Sequence, residues 1–131
     1  MPSEPRWLTP AELIQLNEDE VAATGEPLLV LNYGALESAC FKPRNLWHYE
    51  REEDAVILAV SLLFGIARAH AFQQGNKRTA FKAFVVFLAF AGYDLGCEDS
   101  PLLAELIVSV IRHTTSERAF EAAIRPFVVI F

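Results

Sequence analysis

Between His70 and Thr79 the chain reads His-Ala-Phe-Gln-Gln-Gly-Asn-Lys-Arg-Thr, a polar stretch wedged between two strongly apolar ones. Its residue types suit one kind of chemistry. Gly75 permits the left-handed backbone that turns successive N–H groups toward a common point. If a helix begins at Asn76 or Lys77, its unpaired amides and positive dipole end face the same place. Lys77 and Arg78 are unfavourable in a first helical turn, where acids are preferred, and a bound anion relieves that conflict. His70, a few residues upstream, is the one evident proton acceptor nearby. Phe72 is expected to point into the core and fix the loop. Together these residues describe a phosphate site with a base beside it.

The flanking elements must be helices to position such a loop. Glu53 to Ala69 is almost wholly apolar without strand-length punctuation, which predicts a buried central helix, with Gly65 marking close packing. A second apolar helix is predicted from Asn76 or Lys77 to Ala91, stopped by Gly92. Upstream, Thr9-Pro10-Ala11-Glu12 is a capping box with proline at the first helical position, bracketed by Leu8 and Leu13 as a hydrophobic staple. That helix should run to about Ala23 and stop at Gly25. A loop through Pro27 and Asn32 then leads to a short helix, Ala35 to Phe41, closed by Pro43. Arg44 to Arg51 reads as an exposed, aromatic-rich segment. Further helices are expected from Asp99-Ser100-Pro101 to about His113 and from Ser116 to Pro126. Phe127 to Phe131 is compatible with a short strand or a docking tail. The predicted architecture is all-α, a single domain over residues 1–131 bundled around two buried central helices.

Composition narrows the function. The chain has 131 residues, which fits one domain that buries about two-thirds of its unfolded surface and needs no disulfide staples. A net charge of −6 argues against direct DNA binding, because duplex phosphates require a basic face. Mean hydropathy is high at +0.25, yet the longest weakly polar run, Ala55 to Ala67, is too short to span a bilayer. Met1 to Arg6 has no apolar run of the secretory kind, so a cytoplasmic protein is expected. Cys40 and Cys97 are too few and too far apart for a metal knuckle, and neither His48 nor His113 has ligand spacing with them. Buried free thiols are expected.

The 70–80 segment resembles the motif of the Fic/Doc family, and specifically its death-on-curing (Doc) branch, H-x-F-x-D-[AG]-N-K-R-T-A. The match falls on His70, Phe72, Gly75, Asn76, Lys77, Arg78, Thr79 and Ala80. Gly34-Ala35-Leu36-Glu37-Ser38-Ala39 with Pro43, and Phe87-Leu88 with Gly92-Tyr93, are similar to further family positions, so the resemblance spans roughly residues 7 to 113. It implies a compact Fic-like helical bundle. It also implies that His70 takes the proton of a target hydroxyl attacking a nucleotide phosphate, with Gly75, Asn76, Lys77 and Arg78 holding the phosphates of ATP. Pro43 to Tyr49, with Asn45, Leu46, Trp47, His48 and Tyr49, lies where the family would place the flap that docks the target backbone.

Doc-branch members phosphorylate a threonine of elongation factor Tu and arrest translation, whereas broader Fic members transfer AMP. Lys77 stands where the AMP-transferring group has glycine, and Phe81 where it has a second arginine, so phosphoryl transfer is the expected activity and AMP transfer the alternative. The family's Mg²⁺-binding acid is replaced by Gln74, and a neutral amide oxygen is a far weaker ligand for a hard cation. A catalytically weak binding module is therefore a third expectation. Some Fic proteins carry an inhibitory helix, [ST]-x-x-x-E-[GN]. No Glu here has Ser or Thr four positions earlier, so inhibition is expected from a separate Phd-like antitoxin whose helix fills a groove.

Overall fold

The caps written into the sequence set where the helices begin. In the computed structural model, which describes residues 3–96, 105, 109 and 115–130, α1 runs Pro10–Thr24. The Thr9 hydroxyl accepts from the Glu12 amide at 3.2 Å, and the Glu12 carboxylate accepts from the Thr9 amide at 3.1 Å. Gly25, at φ 73°, ends the helix in the left-handed conformation that glycine adopts without steric cost. Leu8 and Leu13 are both buried, as a staple requires.

The next helix departs from expectation. α2 is continuous over Tyr33–Glu50, with Pro43 inside it rather than after it. An internal proline costs a helix about 3 kcal/mol in isolation. Tertiary packing offsets that cost here. Pro43 is buried, and Leu46 and Trp47 in the following turn pack on the core. The Trp47 ring meets Trp7 edge to face at 6.3 Å. The 44–51 stretch is thus helical almost to its end, where Arg51 turns left-handed at φ 56°.

α3 (Ala55–Ala69) and α4 (Asn76–Phe90) are the two central helices. The Asp54 carboxylate caps α3 by accepting from the Val56 and Ile57 amides at 2.9 and 3.3 Å. Leu58, Leu62, Leu63, Phe64 and Ile66 of α3 interlock with Ala80, Ala83, Phe84, Phe87 and Leu88 of α4, all essentially without exposure. Gly65 lets α2 approach closely, since a Cβ there would lie 3.4 Å from Ala39. α5 (Glu117–Ile124), capped by Ser116, sets Phe120 edge-on between Phe64 and Phe84 at 5.7 and 6.2 Å. A 3₁₀ turn over Arg125–Phe127 follows.

Beyond α4, β1 (Tyr93–Leu95) pairs antiparallel with β2 (Val128–Ile130). The apolar tail is therefore a strand in a two-stranded ribbon added to an otherwise all-α bundle. Apart from Glu105 and Ser109, which are helical, the helix expected over 99–113 lies outside the described residues, as do Cys97 and His113. Cys40 is buried, and desolvation pushes its thiol up to about 12. Among the described residues no helix is long and apolar enough to cross a membrane.

Candidate active site

α3 ends and α4 begins within six residues, and both ends use left-handed backbone. His70 closes α3 at φ 49°, a conformation unusual for a non-glycine residue, and Gly75 opens α4 at φ 75°. Between them Phe72 is driven into the core, as its apolar ring requires. Its backbone is held on both sides. On one, Asn76 clamps it: the Phe72 amide donates to Asn76 Oδ1 at 3.0 Å, and Asn76 Nδ2 donates to the Phe72 carbonyl at 2.7 Å. On the other, the extended chain before α2 lies antiparallel, with Val30 opposite Phe72. The Leu31 and Asn32 amides donate to the Ala71 carbonyl at 2.6 and 3.2 Å, and the Gln73 amide donates to the Leu29 carbonyl at 2.9 Å.

α1 supplies the remaining support. Asn17 is wholly buried on the Leu13–Val21 face, and its Nδ2 donates to the Gln74 carbonyl at 2.8 Å and to the Thr79 hydroxyl at 3.1 Å. The C-terminal end of α1 reaches Arg78. Arg78 Nη2 donates to the Glu26 carboxylate at 2.6 Å, and Nη1 donates to the Thr24 hydroxyl at 3.4 Å. The Thr24 hydroxyl in turn donates to Glu26. These two hydrogen bonds, from Thr24 and then from Arg78, hold the Glu26 carboxyl below the usual carboxylate range.

A cavity of about 430 Å³ opens on this loop, lined by Ala67, His70, Gln73, Gln74, Gly75, Asn76, Lys77 and Arg78. The motif residues expected to act together are therefore brought together. Gly75 gives α4 no side-chain cap. The first intrahelical bond at this end is the Thr79 amide to the Gly75 carbonyl at 2.9 Å. The amides of Asn76, Lys77 and Arg78 find no acceptor among the described residues, and Lys77 has no ion-pair partner there. A ring of free amides beside one free ammonium and one tethered guanidinium is suited to a polyphosphate.

Two expectations change. The Asn76 side chain is committed to the Phe72 backbone, so only its amide N–H is left for an anion. Asn45, Leu46, Trp47, His48 and Tyr49 do not form an exposed extended flap. They are turns of α2, where Leu46 and Trp47 cover core, His48 meets Glu4 at 3.3 Å and Tyr49 is exposed. A helix has already satisfied its own backbone groups and cannot pair with an extended chain. The segment that lies along the motif backbone is Leu29 to Asn32 instead.

At the metal position the donors are those the sequence shows. Gln74 offers no carboxylate, Glu26 is engaged by Arg78, and no three His, Cys, Asp or Glu residues converge among the described residues. The donors present do not fit a protein-held Mg²⁺ ion. Asn17, Thr24, Glu26 and the 29–32 segment were not singled out by motif spacing. For Asn17 a signal existed: Leu13, Asn17 and Val21 share one helix face, and an amide between two apolar residues is out of place there.

A helical bundle that brings a histidine and an uncapped helix start to one cavity is the arrangement to compare with known proteins. The Fic/DOC family model matches residues 7–88. The chain is 31% identical over 103 residues to the protein named "Protein kinase doc" of Escherichia phage P1, covering 79% of this chain and 80% of that one. It is 38% identical over 80 residues to "Toxin Doc" of Mycolicibacterium smegmatis, covering 58% of this chain and 59% of the relative. The chain belongs to the Fic/Doc family, and its named relatives support the Doc toxin branch.

Proposed function

We propose that this protein is a Doc-like toxin that transfers the terminal phosphoryl group of ATP to a hydroxyl of a protein target, a threonine of elongation factor Tu by resemblance, and so arrests translation in the cytoplasm. The observation that carries this reading is the convergence of His70 with the unpartnered amides of Asn76, Lys77 and Arg78 on one cavity. The target oxygen attacks the γ-phosphorus as a ring nitrogen of His70 accepts the hydroxyl proton. The bond from that phosphorus to the bridging oxygen breaks, and ADP leaves with the electron pair. The amides, Lys77 and Arg78 balance the charge on the phosphate oxygens. Because phosphate must draw Arg78 away from Glu26, the resting site is partly self-neutralised.

The target backbone is proposed to lie along the outer edge of the Leu29–Asn32 segment. Val30 sits in the wide pair opposite Phe72, and its own N–H and carbonyl have no partner among the described residues. Leu29 and Leu31 beside it are exposed. Control is proposed to come from an antitoxin in trans, since no inhibitory-helix motif occurs in the chain.

The test is the mass of purified elongation factor Tu after incubation with this protein and ATP. A gain of one phosphoryl group on one threonine is expected. A gain of one AMP selects the alternative transferase, and an unchanged mass with nucleotide still bound selects a binding module.

A further inference from the structure

Asn17 is an odd residue to bury. It is inaccessible to solvent, it sits between Leu13 and Val21 on the core-facing stripe of α1, and its Oδ1 has no hydrogen-bond partner among the described residues. An unpaired buried acceptor destabilises a fold, so its presence needs an explanation other than packing. The other half of the amide supplies one. Nδ2 holds the carbonyl of Gln74 at 2.8 Å and the Thr79 hydroxyl at 3.1 Å, bridging the last residue of the loop to the first turn of α4. The fit is close: a Cβ added to Gly75 would come within 3.1 Å of the same Nδ2.

The peptide linking Gln74 to Gly75 is trans, and in a trans peptide the carbonyl and the N–H point in opposite directions. Pulling the Gln74 carbonyl inward toward α1 therefore turns the Gly75 N–H outward, on the side of the cavity that Gly75 lines. We propose that Asn17 is a positioning residue for anion binding: it fixes the 74–75 peptide so that the Gly75 N–H joins the amides of Asn76, Lys77 and Arg78 in one array. This rests on the phosphate site proposed above and assigns its preorganisation to a residue outside the motif.

Without the Asn17 amide, the Gln74 carbonyl loses its donor and gains by turning to water. Glycine at 75 makes that rotation inexpensive. The rotated peptide presents an oxygen where the anion needs a hydrogen, replacing attraction by repulsion.

The experiment titrates inorganic triphosphate and ATP separately into the wild-type protein, Asn17→Leu and Asn17→Asp. Dissociation constants are read by calorimetry, melting temperatures by circular dichroism, and the Gly75 amide by ¹⁵N–¹H NMR. In the wild type the Gly75 amide proton should move downfield on saturation with triphosphate. Both variants should bind both ligands about tenfold more weakly or worse, as expected for a lost hydrogen bond to a charged group. The loss should be equal for the two ligands, because the nucleoside is not involved. Asn17→Leu should melt no lower than the wild type, which a purely structural role does not allow. Variants that bind as well as the wild type overturn the inference. So does a wild-type Gly75 amide that stays still while those of Lys77 and Arg78 shift, a result that stands even if Asn17→Leu fails to fold. A wild type that binds neither ligand overturns the phosphate site itself, and this inference with it.

Discussion

The two helices at the centre of the molecule and the loop that joins them are built by opposite means. α3 and α4 are held against each other by volume: Phe64, Phe84 and Phe87 are closed off from solvent, and their facing residues are almost all apolar. The 70–75 loop is held almost entirely by individual amide groups. Asn76 clamps Phe72 from one side, Leu29 to Asn32 pair with it from the other, and Asn17 holds Gln74 from beneath. The Phe72 ring and the small Ala71 side chain tie it to the apolar core. Close packing makes the helix pair insensitive to which particular contact is lost and sensitive to total volume. The loop inverts that relation, since each hydrogen bond sets the direction of one backbone group. The consequence is a division of labour in which fold and chemistry can be damaged separately.

Substitutions should expose that division. The largest effect is expected at His70. Replacement by asparagine keeps a side chain that tolerates left-handed backbone but removes the proton acceptor. Transfer to the target, followed by mass spectrometry, should fall by about 10²- to 10⁴-fold with little change in melting temperature. In the core the opposite pattern is expected. Phe84→Ala should cost about 3–5 kcal/mol in denaturant unfolding. Whatever fraction remains folded should still bind nucleotide. If Phe84→Ala abolished binding without loss of stability, or His70→Asn unfolded the protein, the proposed separation would fail.

Gln74→Asp should sharpen the comparison within the loop. A carboxylate at this position supplies the hard oxygen ligand that the amide does not. Nucleotide affinity should become several-fold more dependent on Mg²⁺ than in the wild type, read by titration with and without the ion. Equal dependence in the two proteins would place residue 74 away from any metal. The smallest effect is expected at Glu26. Glu26→Gln releases Arg78 from its carboxylate partner and removes a negative charge beside the cavity. Triphosphate affinity should rise about two- to fivefold at low salt, the range open to a partly exposed pair, and the gain should shrink as salt is added. A fall in affinity would mean that Glu26 aims Arg78 at the phosphate.

The same contrast explains what could be foreseen from the chain. Capping residues Thr9 and Ser116 and stop glycine Gly25 act through their nearest neighbours, so most helix boundaries are legible in the sequence. The motif residues lie in one short segment, and their convergence on a cavity follows from a single turn between two helices. Pro43 misled because its local penalty is offset by core contacts of α2 that lie far away in sequence. Ending the helix before Pro43 leaves Pro43 to Tyr49 free to read as a docking flap, whereas the continuous α2 takes these residues into its last turns. The extended segment beside Phe72 is a short apolar run, Leu28 to Leu31 between Pro27 and Asn32, but its pairing joins residues some forty positions apart and so cannot be read locally. Glu26 and Asn17 were hidden for the same reason, since each acts on the motif across more than fifty positions.

On the proposed function this loop moves a phosphoryl group and does so through His70. That step is tested most directly by incubating the protein and elongation factor Tu with ATP labelled at the γ-phosphate in one sample and at the α-phosphate in another. Label is expected on the target from the γ position only, and none when His70 is replaced by asparagine. Label arriving from the α position, or γ label that persists undiminished in the His70 variant, would contradict it.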